Sequence, residues 1–139
     1  MSEIFDSINR HVGFNIEIKW AMQLKDGSMD HKFQLIDKNL YVDCILNVVL
    51  SKAYDRRVVF SCFDPDICTM LRCKQNIYPV MFLTIGVTDK YPSYYDPRCN
   101  TIYKAIEYAV NMELLGIVGH TEDLLRDPTQ VFFILFAFV

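Results

Sequence analysis

The sequence predicts an α/β fold built on a parallel sheet, and three observations carry that prediction. Segments with apolar residues at helical spacing alternate with short apolar runs of strand length. Two of these runs, at 58–63 and 80–85, are almost continuously apolar, as strands covered on both faces are. The composition, 52% hydrophobic and 22% charged over 139 residues, supplies a sizeable core and excludes a disordered chain.

The elements follow in order. NIEIKWAM (15–22) reads as a strand whose apolar run is interrupted by charges. DKNLYVDCILNVVLSKAYD (37–55) reads as a helix, with Tyr41, Ile45, Val48 and Val49 on one face and Val42, Leu46 and Ala53 widening it. RRVVFSCF (56–63) is a strand that passes directly into a helix at DPDICTMLRCKQN (64–76). There Asp64 suits the N-cap and Pro65 the first helical position. YPVMFLTIG (78–86) is the next strand, followed by a loop (87–100) with two prolines and three tyrosines. TIYKAIEYAVNME (101–113) reads as a helix, LLGIVGH (114–120) as a short strand, and TEDLLRDP (121–128) as a further helix or turn.

Charge and cysteine usage narrow the function classes. Asp and Glu (17) outnumber Lys and Arg (14), the net charge is −3 and no basic run occurs, so a nucleic-acid binder is excluded. Residues 1–12 lack the apolar stretch of a secretory signal. The five cysteines (Cys44, Cys62, Cys68, Cys73, Cys99) form no CxxC pair and are odd in number. Buried, reduced thiols and a cytoplasmic location are expected, without zinc. The end of the chain, VFFILFAFV (131–139), is apolar throughout but far shorter than the ~20 residues of a membrane span. It is expected to be buried, or to mark where this chain departs from its relatives.

Ligands of parallel α/β folds bind at the carboxyl ends of the strands, so polar groups there are the candidates. Strand alternation puts Asn15, Glu17 and Lys19 on one face, opposite Ile16 and Ile18. Two readings are open. The pair lies half-solvated on an edge strand, or it points into a barrel mouth, where a carboxylate meets a cation and an ammonium meets an anion. Phe63 closes its strand on the face of Ser61 and reads as core or as pocket wall. Asp64 and Asp66 read as helix capping and dipole compensation rather than metal ligands. Thr84 reads as core packing or backbone hydrogen bonding. His120, at the end of the last strand, is a loop histidine or a pocket residue, whereas His11 and His31 lie in polar segments. No phosphate loop, nucleophile elbow or H-E-x-x-H occurs.

Three runs together carry a resemblance: VGFNIEIKW (12–20), RRVVFSCFDPDICTMLRCKQNIYPVMFLT (56–84) and LLGIVGHTEDLLRDP (114–128). They resemble the glycerophosphodiester phosphodiesterase family, most closely its animal glycerophosphocholine branch, from about Val12 to Thr129. The resemblance implies a TIM-type (β/α)8 barrel, of which this chain holds about four βα units with parallel strands, the third to sixth. A barrel of ~250 residues is typical, so residues 1–139 are expected to be a partial domain and an internal fragment, with 130–139 atypical. The family hydrolyses glycerophosphodiesters, glycerophosphocholine among them, to glycerol 3-phosphate and an alcohol (choline in this branch) in glycerophospholipid metabolism, using magnesium or calcium. By resemblance Glu17 is a metal ligand and Lys19 faces the substrate phosphate, with Phe63 and His120 as possible pocket residues.

The family's paired histidines and its Glu-x-Asp carboxylates are not found in this sequence. No catalytic residue is therefore assigned, tight metal binding is not expected, and the chain alone is expected to be inactive. The expected partner is a small glycerophosphodiester, not nucleic acid or a membrane. The alternative is a non-enzymatic half-barrel that self-associates through its open edges or binds a partner. A third possibility, an open flavodoxin-like sheet, requires Glu17 and Lys19 to lie under a covering helix. Tyr91, Tyr94 and Tyr95 read either as an ordinary loop or as part of a pocket for a quaternary ammonium.

Overall fold

The computed structural model describes residues 2–32 and 36–132. Its centre is a four-stranded, all-parallel sheet of β1 (Phe14–Glu17), β2 (Val58–Cys62), β3 (Val80–Thr84) and β4 (Gly116–Gly119), in the order β1-β2-β3-β4. The helices are α1 (Ser2–Ser7), α2 (Lys38–Lys52), α3 (Pro65–Lys74), α4 (Ile102–Asn111) and α5 (Thr121–Arg126), with a single 3-10 turn at Pro97–Cys99. Sequential neighbours joined by crossover helices are the βα rhythm of a parallel barrel wall.

Register divides the sheet into two faces. Ile16 pairs with Phe60, Phe60 with Val80, and Phe82 with Ile117, so these side chains share one face with Val58 and Cys62. That face meets the helices: Phe60, Phe82, Val42, Val49, Ile67, Leu71, Ile102 and Ala109 are fully buried in one cluster. The other face carries Asn15 and Glu17 from β1, Val59 and Ser61 from β2, Met81 and Leu83 from β3, and Val118 from β4. No described helix covers it: Asn15 and Glu17 are exposed and Val118 is 47% exposed. One-sided helices give a partial barrel. A doubly wound sheet would place Glu17 under a helix, and Glu17 is not there.

Local chemistry explains the element ends. Asp37 accepts from the Leu40 amide (2.9 Å) to cap α2, and Asp64 accepts from the Ile67 amide (2.8 Å) to cap α3, with Pro65 at its first position. Thr101 caps α4. The α2 stripe is rotated by about one residue from the expected one: Val42, Leu46, Val49 and Ala53 are buried, while Tyr41, Ile45 and Val48 flank them. β1 is shorter than the predicted strand over 15–22. Ile18 still donates to the Ser61 carbonyl (2.8 Å), but beyond it the chain leaves the sheet. Met22 donates to Asp30 (2.8 Å), and the turn before it closes at Gly27, whose φ of 87° suits glycine.

The cysteines are all free. Cys62, Cys68 and Cys99 are buried, but Cys44 and Cys73 are exposed, against expectation. Each lies two residues past a buried one (Val42, Leu71), which on a helix turns it to the outer side. At the end of the described chain Gln130 is buried and donates to Asp123 (3.4 Å), while Val131 and Phe132 are exposed. The rest of the apolar tail, 133–139, lies outside the described residues.

Candidate functional site

The carboxyl ends of the strands converge on a cleft of about 580 Å³. Lys19, Trp20, Phe63, Tyr91, Tyr94 and His120 line it, together with Asp30 and His31. Each comes from the end of a strand or from the loop that follows one, as strand-end sites in parallel barrels do.

Glu17 is the last residue of β1, in register with Ser61. Lys19 points the same way and forms an ion pair with Glu17, the two side chains 63% and 34% exposed respectively. Lys19 reaches the cleft, whereas Glu17 meets it only through this pair. Ser61 donates to the Asn15 side chain (2.9 Å) on the same face. Trp20 follows on the cleft wall, its ring 5.4 Å from that of Tyr41 and with the Lys38 ammonium 5.6 Å from its centre.

Phe63 stands just past β2 and meets Tyr94 at 6.0 Å between ring centres. Tyr94 is held there by a bridge to Leu24, so the 87–100 loop is strapped to the turn after β1. Burial pushes the Tyr94 phenol well above its usual value, and the Asp30 carboxylate beside it adds to the shift. His120 follows β4 at the N-cap of α5 without capping it by its side chain. Its ring meets Tyr91 edge-on at 5.5 Å, and its Nδ1 is buried with no hydrogen-bond partner among the described residues.

Of the residues singled out from sequence, Lys19, Phe63 and His120 thus share one cleft. Asp64 and Asp66 do not enter it. Asp64 caps α3, Asp66 lies in its first turn, and both form ion pairs with Lys38 (2.8 and 3.4 Å). Thr84 donates to the Cys99 carbonyl (3.1 Å) and accepts from the Gly86 amide, so its role is local bonding. Of the three loop tyrosines, Tyr91 and Tyr94 line the cleft while Tyr95 is 66% exposed outside it. No local signal marks Trp20, Asp30 or His31 as site residues. Trp20 continues an apolar run of strand character, and the departure of the chain after Ile18 brings all three to the cleft.

Among the described residues, no group of three or more His, Cys, Asp or Glu side chains could hold a metal ion. Magnesium takes six oxygen ligands and calcium six to eight. Glu17 alone, already paired with Lys19, does not make such a site.

Half of a parallel barrel, with a strand-end cleft lined by one lysine ammonium and several aromatic rings, defines an α/β protein of the partial-barrel class. The glycerophosphoryl diester phosphodiesterase family profile matches residues 1–134, and the chain belongs to that family. It is 49% identical over 129 residues to the glycerophosphocholine phosphodiesterase GPCPD1 of Mus musculus, a match covering 92% of this chain and 19% of that protein. It is 36% identical over 130 residues to the glycerophosphocholine phosphodiesterase GDE1 of Candida albicans (92% of this chain, 11% of that protein). It is also 36% identical over 135 residues to the chloroplastic glycerophosphodiester phosphodiesterase GDPD1 of Arabidopsis thaliana (94% and 34%). The chain therefore spans about a tenth to a third of the length of these relatives. No solved structure matches it significantly. Among the described residues, no helix is long and apolar enough to cross a membrane.

Proposed function

We propose that this chain is the part of a glycerophosphodiester phosphodiesterase that receives the phosphate and the cationic alcohol of glycerophosphocholine, in a reaction that yields glycerol 3-phosphate and choline. The observation that carries the reading is the placing of the Lys19 ammonium beside the rings of Trp20, Phe63, Tyr91 and Tyr94 in one cleft. Glycerophosphocholine carries an anionic phosphate close to a trimethylammonium group, and the cleft offers a counterpart to each. The Lys19 ammonium offsets phosphate charge. Aromatic faces take up a quaternary ammonium, and Asp30, which shares the cleft lining with Tyr94, adds a carboxylate on that side. The unpartnered His120 Nδ1 is the kind of group a substrate oxygen satisfies.

Glu17 offers a divalent cation one carboxylate, and a bound magnesium or calcium ion would supply Lewis acidity at the phosphate. Because the described residues do not complete its ligand set, the 139-residue chain alone is proposed to hold the ion weakly and to turn over no glycerophosphocholine. The cytoplasmic placing remains part of the proposal. A second reading, self-association, is favoured by the open sheet face, where Val118 is 47% exposed and Val59 and Met81 are half-buried. Light scattering on the eluting chain decides it: a defined dimer supports that reading and a clean monomer ends it.

Trp20 is the sole tryptophan and sits in the cleft, so its fluorescence reports binding directly. Choline is expected to bind more tightly than its uncharged isostere 3,3-dimethylbutanol. A cation–π gain of about 1–2 kcal/mol corresponds to roughly 5–30-fold. Equal affinity for the two, or no response to choline, would overturn the proposal.

A further inference from the structure

The two aromatic walls of the cleft are joined from behind by a chain of charges that does not touch the cleft itself. Lys38, at the start of α2, hangs over the Trp20 ring and reaches Asp64 (2.8 Å) and Asp66 (3.4 Å) on α3. Asp66 also accepts from Arg98 (2.8 Å), and Arg98 grips Asp96 through Nε (3.0 Å) and Nη2 (2.6 Å). Asp96 caps the 3-10 turn by accepting from the Arg98 amide (2.9 Å), two residues after Tyr94. The loop carrying Tyr94 is tied to the turn after β1 by Tyr95 to Gln23 (2.8 Å) and Lys25 to Ser93 (3.0 Å).

Although burial opposes it, Arg98 and Lys38 together hold the Asp66 carboxyl below its ordinary value, and the Arg98 hydrogen bond does the same for Asp96. Burial likewise disfavours the Lys38 ammonium, but Asp64 and Asp66 more than reverse this. Asp66 is the only one of these groups that bonds both cations while standing outside the cap and turn hydrogen bonds that occupy Asp64 and Asp96.

We infer that Asp66 is a positioning residue of the cleft: by bridging Lys38 and Arg98 it fixes the Trp20 wall relative to the Tyr94 wall and so sets the gap that receives an alkylammonium group. The ligand part rests on the proposed choline reading, whereas the positioning part does not. Replacing Asp66 releases Lys38 toward Asp64 alone and leaves Arg98 to Asp96 alone, so the walls lose their charged link and keep only the backbone ties between the 93–95 loop and residues 23–25.

Two readouts on the full chain separate these parts. Asp66→Asn is expected to raise acrylamide quenching of Trp20 about twofold without ligand, and to weaken choline binding about fivefold. Asp66→Glu, which keeps the charge, is expected to restore most of both. Asp43→Asn is the control. It removes the Lys74–Asp43 ion pair (2.6 Å), which also joins α2 to α3 but lies away from the cleft. It should change neither readout. Unchanged Trp20 quenching in Asp66→Asn, or an equal change in Asp43→Asn, would overturn the inference. Altered quenching in Asp66→Asn with no choline binding by the unsubstituted chain would keep the positioning role and sink the choline reading.

Discussion

The two ends of the strands use their cations in opposite ways. At the amino end, Arg56 is 4% exposed and spends its guanidinium on the chain itself. It donates to the carbonyls of Phe5 (2.8 Å), Asn9 (2.6 Å) and Val12 (3.2 Å) and, more closely, to that of Ile8. It thereby closes the end of α1 and stacks on Phe14, 5.3 Å from the ring centre. At the carboxyl end, the Lys19 side chain is 63% exposed and its ammonium bonds only Glu17 among the hydrogen bonds described. A cation with both Nη groups held on backbone carbonyls is a structural pin, even with its Nε buried and unpartnered among the described residues. One with donors free at a strand end is available to a ligand. The same division, stability below and chemistry above, is general for parallel barrels.

The largest effect expected from this contrast is at the pin. Arg56→Met removes a side-chain donor from four carbonyls, one at a buried bond and three at part-buried ones, of which that of Asn9 keeps the Val12 amide. Hydrogen bonds to a charged group contribute about 1.5–3 kcal/mol each in favourable cases, but the freed ends of α1 regain water. A net loss of about 3 kcal/mol is therefore expected in urea unfolding. Choline affinity of the folded fraction should not move. A loss below about 1 kcal/mol would mean that the amino end is held by α1–α2 packing instead, for which Phe5 is the buried anchor.

Much of this architecture was legible in the sequence, for physical reasons that differ between the ends. The βα rhythm and the Asp64-Pro65 helix start are local signals, set by side-chain period and by who can accept from a free amide, so they survive without tertiary information. The face shared by Glu17 and Lys19 is also local. The fit of Arg56 was not legible, because its four acceptors lie 44 to 51 residues away in sequence. The cleft was half legible. Lys19, Phe63 and His120 follow from strand ends, but Trp20, Asp30 and the two inward tyrosines depend on the chain leaving the sheet after Ile18 and on the Leu24–Tyr94 bridge. A run as apolar as IKWAM looks like more strand, and nothing local says otherwise.

A smaller effect distinguishes the ends by pH. The acceptors gathered at the amino-end pin are backbone carbonyls rather than carboxylates. At the carboxyl end, folding holds Asp66 and Asp96 below the ~3.9 of an unfolded aspartate. The folded state then binds fewer protons than the unfolded one. The contribution of these groups is complete above about pH 5 and is lost as pH falls through and below 3.9. Trp20 fluorescence is therefore expected to change on acidification before the helical signal in circular dichroism does. Coincident transitions would show that the network does not loosen separately.

The smallest expected effect on stability is the most informative about function. Lys19→Met removes an ion pair whose members are both substantially exposed. Such pairs contribute about 0–1 kcal/mol, and the methionine keeps an aliphatic stem at the cleft. Unfolding should shift by no more than about 0.5 kcal/mol, well under the Arg56 effect. Binding should respond selectively. If Lys19 serves the phosphate and the rings serve the ammonium, glycerophosphocholine loses affinity while choline, which has no phosphate, does not. The two ligands are compared in the same Trp20 titration, so a general loosening of the cleft would weaken both and be recognised. A parallel loss would place Lys19 with Arg56 as a structural cation and erase the contrast between the strand ends. A loss confined to glycerophosphocholine would make the free donors at the carboxyl end the reason this lysine is exposed.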